Sequence, residues 1–151
     1  SARKRLDDLS RLGPADFAEA RAPRLIFQPE QNPSKVARVR EEMARINTNG
    51  YAQALHMLST SDLAAFVSGV SIQPGFIIGS EDQITPMAQT EAAMSAWASA
   101  HGRAPRCIVI PRAGHAVYVQ AQAEFIDAVM ALTQGLQSKT LGYAEGEIHD
   151  R

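Results

Sequence analysis

Two short apolar runs, Phe76-Ile77-Ile78 and Cys107-Ile108-Val109-Ile110, constrain this chain more than any other feature. Neither run alternates with polar residues. Continuous apolar runs of this length are what strands covered on both faces require, as in a parallel sheet flanked by helices. Between them, Thr85-Pro86 reads as a helix start and Gly102 as a helix stop. The unit predicted is strand, helix, strand. A right-handed crossover sets the two strands parallel, with both C-terminal ends on one edge of the sheet. Asp82 follows the first strand and His115 the second. Ligand sites in open α/β sheets lie at that edge. A carboxylate and an imidazole 33 residues apart in sequence can therefore meet there.

The run Gly79-Ser80-Glu81-Asp82-Gln83-Ile84-Thr85-Pro86, followed by Pro111-Arg112-Ala113-Gly114-His115-Ala116-Val117-Tyr118-Val119, resembles the C-terminal third of the α/β-hydrolase superfamily. The match covers about residues 75–132. It implies that Asp82 is the catalytic acid, that His115 is the catalytic base, and that a closing helix follows. The fold class so implied is α/β: the C-terminal part of an α/β-hydrolase, a parallel sheet flanked by helices and preceded by a helical lid. One departure is large. The nucleophile elbow of the superfamily, G-x-S-x-G on a strand-to-helix turn, is absent, and no version with Cys or Asp replaces it. The resemblance thus implies a hydrolase of a small ester, lactone, amide or activated C–C bond. A partner chain, the N-terminal fragment of the same protein, would supply a Ser, Cys or Asp nucleophile. The alternative is a subunit of that fold which binds a ligand or partner without turnover, since a fold alone does not fix a function.

Each candidate side chain also has a plainer reading. Asp82 could simply cap the helix that starts at Thr85-Pro86, and Glu81 is a rival acid beside it. A histidine after a strand is often only packed. His56 sits in a helical region, His101 at a helix C-terminus where a cation is favourable, and His149 near the end of the chain. Tyr51, Met57 and Phe66 could line a pocket, though core packing suits them as well. Ser1 as an N-terminal nucleophile would make the Asp–His pair surplus. The histidines lack metal-ligand spacing, and no cofactor is expected.

Composition adds exclusions. A chain of 151 residues with 45% hydrophobic and 21% charged residues suits one ordinary globular domain. A formal net charge of −1 gives no reason to expect nucleic acid or an anionic membrane surface as a partner. No apolar run approaches a membrane span. The single cysteine, Cys107, excludes an internal disulfide and suits a reducing compartment, so a cytoplasmic location is expected. Because the chain opens with Ser1 rather than Met, we expect it to have been processed or cleaved.

Along the chain, residues 1–69 read as a helical lid or cap. A first helix spans about 1–12 and ends at Gly13, a second starts at Pro14, and residues 22–33 form an extended loop. Ser34 would cap a helix with Val36, Val39, Met43 and Ile46 on one face and the pairs Arg38–Glu42 and Glu41–Arg45 on the other. Tyr51–Leu58 and Asp62–Val67 follow as short helices. Residues 70–135 form the core portion, ending in a helix over about 122–132 with Phe125, Ile126, Val129 and Met130 facing in and Gly135 as its stop. Residues 136–151 read as a tail. Two strands leave long unpaired edges, which proteins avoid, so the sheet is expected to be completed by the partner chain.

Overall fold

The computed structural model describes residues 2–140. At its centre the two apolar runs form β1 (Gly75–Gly79) and β2 (Arg106–Ile110). They pair in parallel, with Gly75 opposite Arg106 and Gly79 opposite Ile110. The connection carries α5 (Met87–His101), and Gly102 closes that helix in the left-handed region at φ 66°. Both strands end level with each other, so the loops after Gly79 and Ile110 leave from the same edge. The architecture is mixed α/β, mostly helical, with a small two-stranded parallel sheet.

Preceding the sheet, α1 (Ala2–Arg21) bends at Gly13 (φ 76°, ψ 166°), where two helices were expected to meet. Residues 22–33 are not an extended loop. They coil into two short 3-10 turns, Ala22–Leu25 and Pro29–Gln31, each with a proline in its first two positions. A proline there has the φ such a turn needs and gives up no useful donor. Helix α2 (Pro33–Ala44) has Asn32 rather than Ser34 as its N-cap. The anticipated i,i+4 pairs on α2 are replaced. Arg45 approaches Glu42 at 3.5 Å, and Arg40 reaches Glu19 of α1 at 3.0 Å. In α3 (Thr48–Thr60), Asn47 Oδ1 accepts from Gly50 N–H at 2.9 Å, which draws the anticipated turn into the helix. Helix α4 (Leu63–Ser68) is capped in the same manner by Asp62.

After β2 come α6 (Val117–Gln120) and α7 (Gln122–Thr140). Gly135, expected to stop the last helix, lies inside it, so 136–140 are helical rather than tail; 141–151 lie outside the described residues. Among the described residues no helix is long and apolar enough to cross a membrane.

Three apolar clusters fix these parts. Trp97, Ala93 and Val67 bind α4 to α5, with Trp97 Nε1–H donating to Val70 O at 2.8 Å. Ile110, Ala113, Val117 and Ala128 pack β2 and its loop against α6 and α7. Ala22, Ile26, Val39 and Ala116 join the first helical region to the loop after β2. One expectation fails. On α7, Ile126 and Met130 are 51% and 50% exposed, and Val109 on β2 is 45% exposed, so these apolar side chains are not core in this chain.

Gly79 ends β1 where no side chain fits. A Cβ there would lie 2.2 Å from Ala113 O and 2.5 Å from Gly114 O, both backbone atoms of the opposing loop. Overpacking costs about 1–3 kcal/mol where neighbours can yield, and backbone yields least. Gly79→Ala should therefore lower stability by about 3 kcal/mol in urea unfolding; a change below about 0.5 kcal/mol would contradict this packing.

Candidate functional site

The two loops at the sheet edge bring the expected pair together. His115 Nδ1 lies 2.9 Å from Asp82 Oδ2. The Asp82 side chain is 7% exposed and the His115 ring 38% exposed, so the acid is enclosed and the base reaches solvent. An ionised carboxylate can only accept, so the proton of this contact belongs to Nδ1. In the neutral ring that leaves Nε2 with the lone pair. Thr85 Oγ1, at 3.0 Å from Nδ1, is a further neighbour of the same N–H.

Asp82 is itself held from behind. Its Oδ1 accepts the backbone N–H groups of Ile84 and Thr85 at 2.8 and 2.9 Å. Asp82 does not cap α5, whose N-cap is Pro86 with no side-chain bond; its Oδ1 instead closes the turn ahead of the helix, and its Oδ2 orients His115. Burial penalises its charged form, but the N–H of Thr85, His115 and the N–H of Ile84 outweigh that, and its pKa falls below the ordinary carboxylate value. The rival acid Glu81 is exposed and takes a hydrogen bond from Ser80 Oγ at 3.0 Å. Ser80 Oγ also accepts from Arg112 N–H at 2.9 Å, which ties the two loops together. Arg112 takes a left-handed φ of 56° to make this turn.

Gln120 was not singled out from the sequence, yet it sets the His115 loop. Its Oε1 accepts from the N–H groups of Gly114 and Phe27, both at 2.9 Å, and its Nε2 donates to Phe27 O at 2.8 Å. Ala116 N–H donates to Leu25 O at 2.9 Å beside it. The residues on either side of His115 are thereby bolted to residues 25–27. Gly114 is glycine for this close approach, not for a positive φ: a Cβ would stand 2.8 Å from Leu25 O and from Phe27 N. A glutamine at the end of a four-residue helix carries no pattern that marks it in sequence.

The other candidates lie elsewhere. His56 is exposed on α3. His101 stacks on Trp97 with ring centroids 4.4 Å apart, a structural contact at the end of α5. Tyr51 packs edge-on against Phe17 at 5.7 Å, while Met57 and Phe66 are 59% and 69% exposed. Cys107 is half-buried in β2, and burial raises its thiol pKa, which opposes reactivity. Ser1 and His149 lie outside the described residues. Among the described residues no group of three or more His, Cys, Asp or Glu side chains is arranged to hold a metal ion.

A solved esterase from Thermogutta terrifontis, with malate bound, is similar over 89% of this chain at 24% sequence identity and a TM-score of 0.71. This is an esterase-like fold. The chain spans about half of that esterase, 48% of its length. No protein-family model and no curated protein sequence matches the chain.

Two outcomes follow from the geometry. Gln120→Ala strands two half-buried N–H donors, each costing about 1–3 kcal/mol, so urea unfolding should show a loss of about 3 kcal/mol; a loss under 0.5 would contradict the clamp. Because the Asp82 pKa is lowered, its stabilising contribution is present above the unfolded carboxylate pKa of about 3.9 and is lost as pH falls below it through the folded value. The Tm gap between wild type and Asp82→Asn should be full above about pH 5 and close towards pH 2. A gap that does not change with acidification would contradict the assignment.

Proposed function

We propose that this chain supplies the acid and base of a hydrolase that cleaves a small ester, lactone, amide or activated C–C bond. The observation that carries the proposal is the enclosed Asp82 carboxylate at 2.9 Å from Nδ1 of a half-exposed His115. For an ester, His115 Nε2 accepts the proton of a nucleophile as that nucleophile attacks the carbonyl carbon. Asp82 holds the tautomer and stabilises the imidazolium. The imidazolium returns its proton to the departing alcohol, leaving an acyl-enzyme. Water then attacks with His115 again as base, and the acid is released as the nucleophile regains its proton.

The nucleophile belongs, in this reading, to another polypeptide segment, the N-terminal portion of the same protein. The missing elbow motif supports this, as do the length of the similar esterase and the apolar side chains of Val109, Ile126 and Met130 left in solvent. That segment would add strands beside the pair and cover those side chains, and residues 1–69 would act as the lid over the site.

The test is turnover of p-nitrophenyl acetate by the full-length protein with any chain that co-purifies. His115→Ala should remove activity while leaving the far-ultraviolet circular dichroism intact. Asp82→Asn should lower kcat severely, since the corresponding change in serine proteases costs about 10⁴, and Glu81→Gln should cost less than about threefold. Activity that survives His115→Ala, or collapses in Glu81→Gln and not in Asp82→Asn, would overturn the assignment. No turnover of any ester by a complete complex would favour the non-catalytic binding subunit.

A further inference from the structure

A cavity of about 350 Å³ opens between α1, the first 3-10 turn and the Asp82 loop. That volume is within the range that holds a small molecule. Lys4, Arg5, Arg21 and Arg24 line it, together with Gln83 and Ile84, the two residues that follow Asp82. Its lining includes one carboxylate, Asp8, and this is already shared by Lys4 at 3.2 Å and Arg11 at 3.3 Å. Arg5, Arg21 and Arg24 form no ion pair among the described residues. Elsewhere on the same surface arginines do find carboxylates, as Arg40 finds Glu19.

Three arginines lining one cavity with no ion-pair partner among the described residues is a costly arrangement. Arg21 is half-buried. Burial lowers its pKa; Tyr51 acts in the opposite direction, and the charges of Arg5 and Arg24 lower it further. An anion between them would remove that cost, and guanidinium groups match planar oxyanions with two parallel hydrogen bonds. A neighbouring cavity of about 380 Å³ shares Arg24 and Gln83 and adds Glu81 and Gly114, so the two cavities together run from α1 to the residue before His115.

We infer that this cavity is a binding site for the carboxylate of an acidic substrate, anchored by Arg21 and Arg24 while the group to be cleaved lies towards His115. The inference rests on the hydrolase reading for what happens to the substrate, but binding itself is independent of it. A small carboxylic acid is the class that the cavity's volume and charge admit.

Calorimetry on the full-length protein tests this with succinate, its neutral dimethyl ester and inorganic phosphate, at matched ionic strength because unspecific attraction to a basic surface is screened by salt. Succinate should bind at least tenfold more tightly than the diester and more tightly than phosphate. Arg21→Gln and Arg24→Gln should each weaken succinate at least tenfold. Arg24 is exposed, so its variant keeps the test valid if Arg21→Gln fails to fold. His115→Ala should bind succinate as wild type does, so a failed hydrolase reading leaves this result readable. Equal binding of the diester, preference for phosphate, or unchanged affinity in the folded arginine variants would overturn the site.

Discussion

A hydrogen bond of 2.9 Å between Asp82 and His115 closes a 33-residue stretch of chain, and the other local choices around it serve to keep it. A carboxylate with 7% of its side chain exposed has lost much of its hydration. It stays charged only because donors replace the water: the N–H groups of Ile84 and Thr85 on one oxygen and the imidazole N–H on the other. Those two backbone donors lie in the turn between β1 and α5, just ahead of the helix's N-cap at Pro86, where an aspartate side chain readily bonds the backbone N–H groups that follow it. The turn out of β1 and the orientation of the His115 ring are thus held by one carboxylate.

On the histidine side the constraint is positional. The loop after β2 must bring the ring to the level of Asp82, and its buried Ala113 and Ala116 carry no side-chain hydrogen-bonding group to hold it. Its backbone is therefore fastened from outside, through Gln120 to Phe27 and through Ala116 to Leu25. Residues 22–27 in turn sit on α2 through the cluster of Ala22, Ile26, Val39 and Ala116. This links the helical region at the start of the chain to the position of the base. It also explains why that region coils into 3-10 turns instead of crossing as an extended loop. Leu25 and Phe27 offer two carbonyls and an N–H to Ala116 and Gln120, not to a strand.

What could be read in the sequence was what depends on local pattern. The apolar runs without alternation gave two parallel strands, and the order of the strands and the crossover placed Asp82 and His115 on one edge. The general likeness to a hydrolase fold agrees with the esterase-like architecture. Gln120 was illegible because the Phe27 backbone it bridges to the His115 loop is 93 residues away, and nothing local marks it. The helix starts were displaced by local features: Asn47 caps α3 through its side chain, while α2 begins at Pro33, a proline at the first helical position, after Asn32. The inward placing of Ile126 and Met130 followed from helical periodicity, which says which residues share a face but not whether anything covers it. The basic cavity is assembled from α1, the first 3-10 turn and the Asp82 loop, so no contiguous motif announces it.

The central claim is that Asp82 holds the His115 proton on Nδ1 and leaves Nε2 free to take one. Long-range nitrogen–proton correlation spectra of ¹⁵N-labelled full-length protein, recorded above the imidazole titration, read this directly. The account predicts a protonated, pyrrole-like shift for Nδ1 of His115 and an unprotonated, pyridine-like shift for Nε2, with the pattern lost in Asp82→Asn. A His115 ring that carries its proton on Nε2 in the wild type, or a pattern unchanged by removing the Asp82 charge, would contradict it.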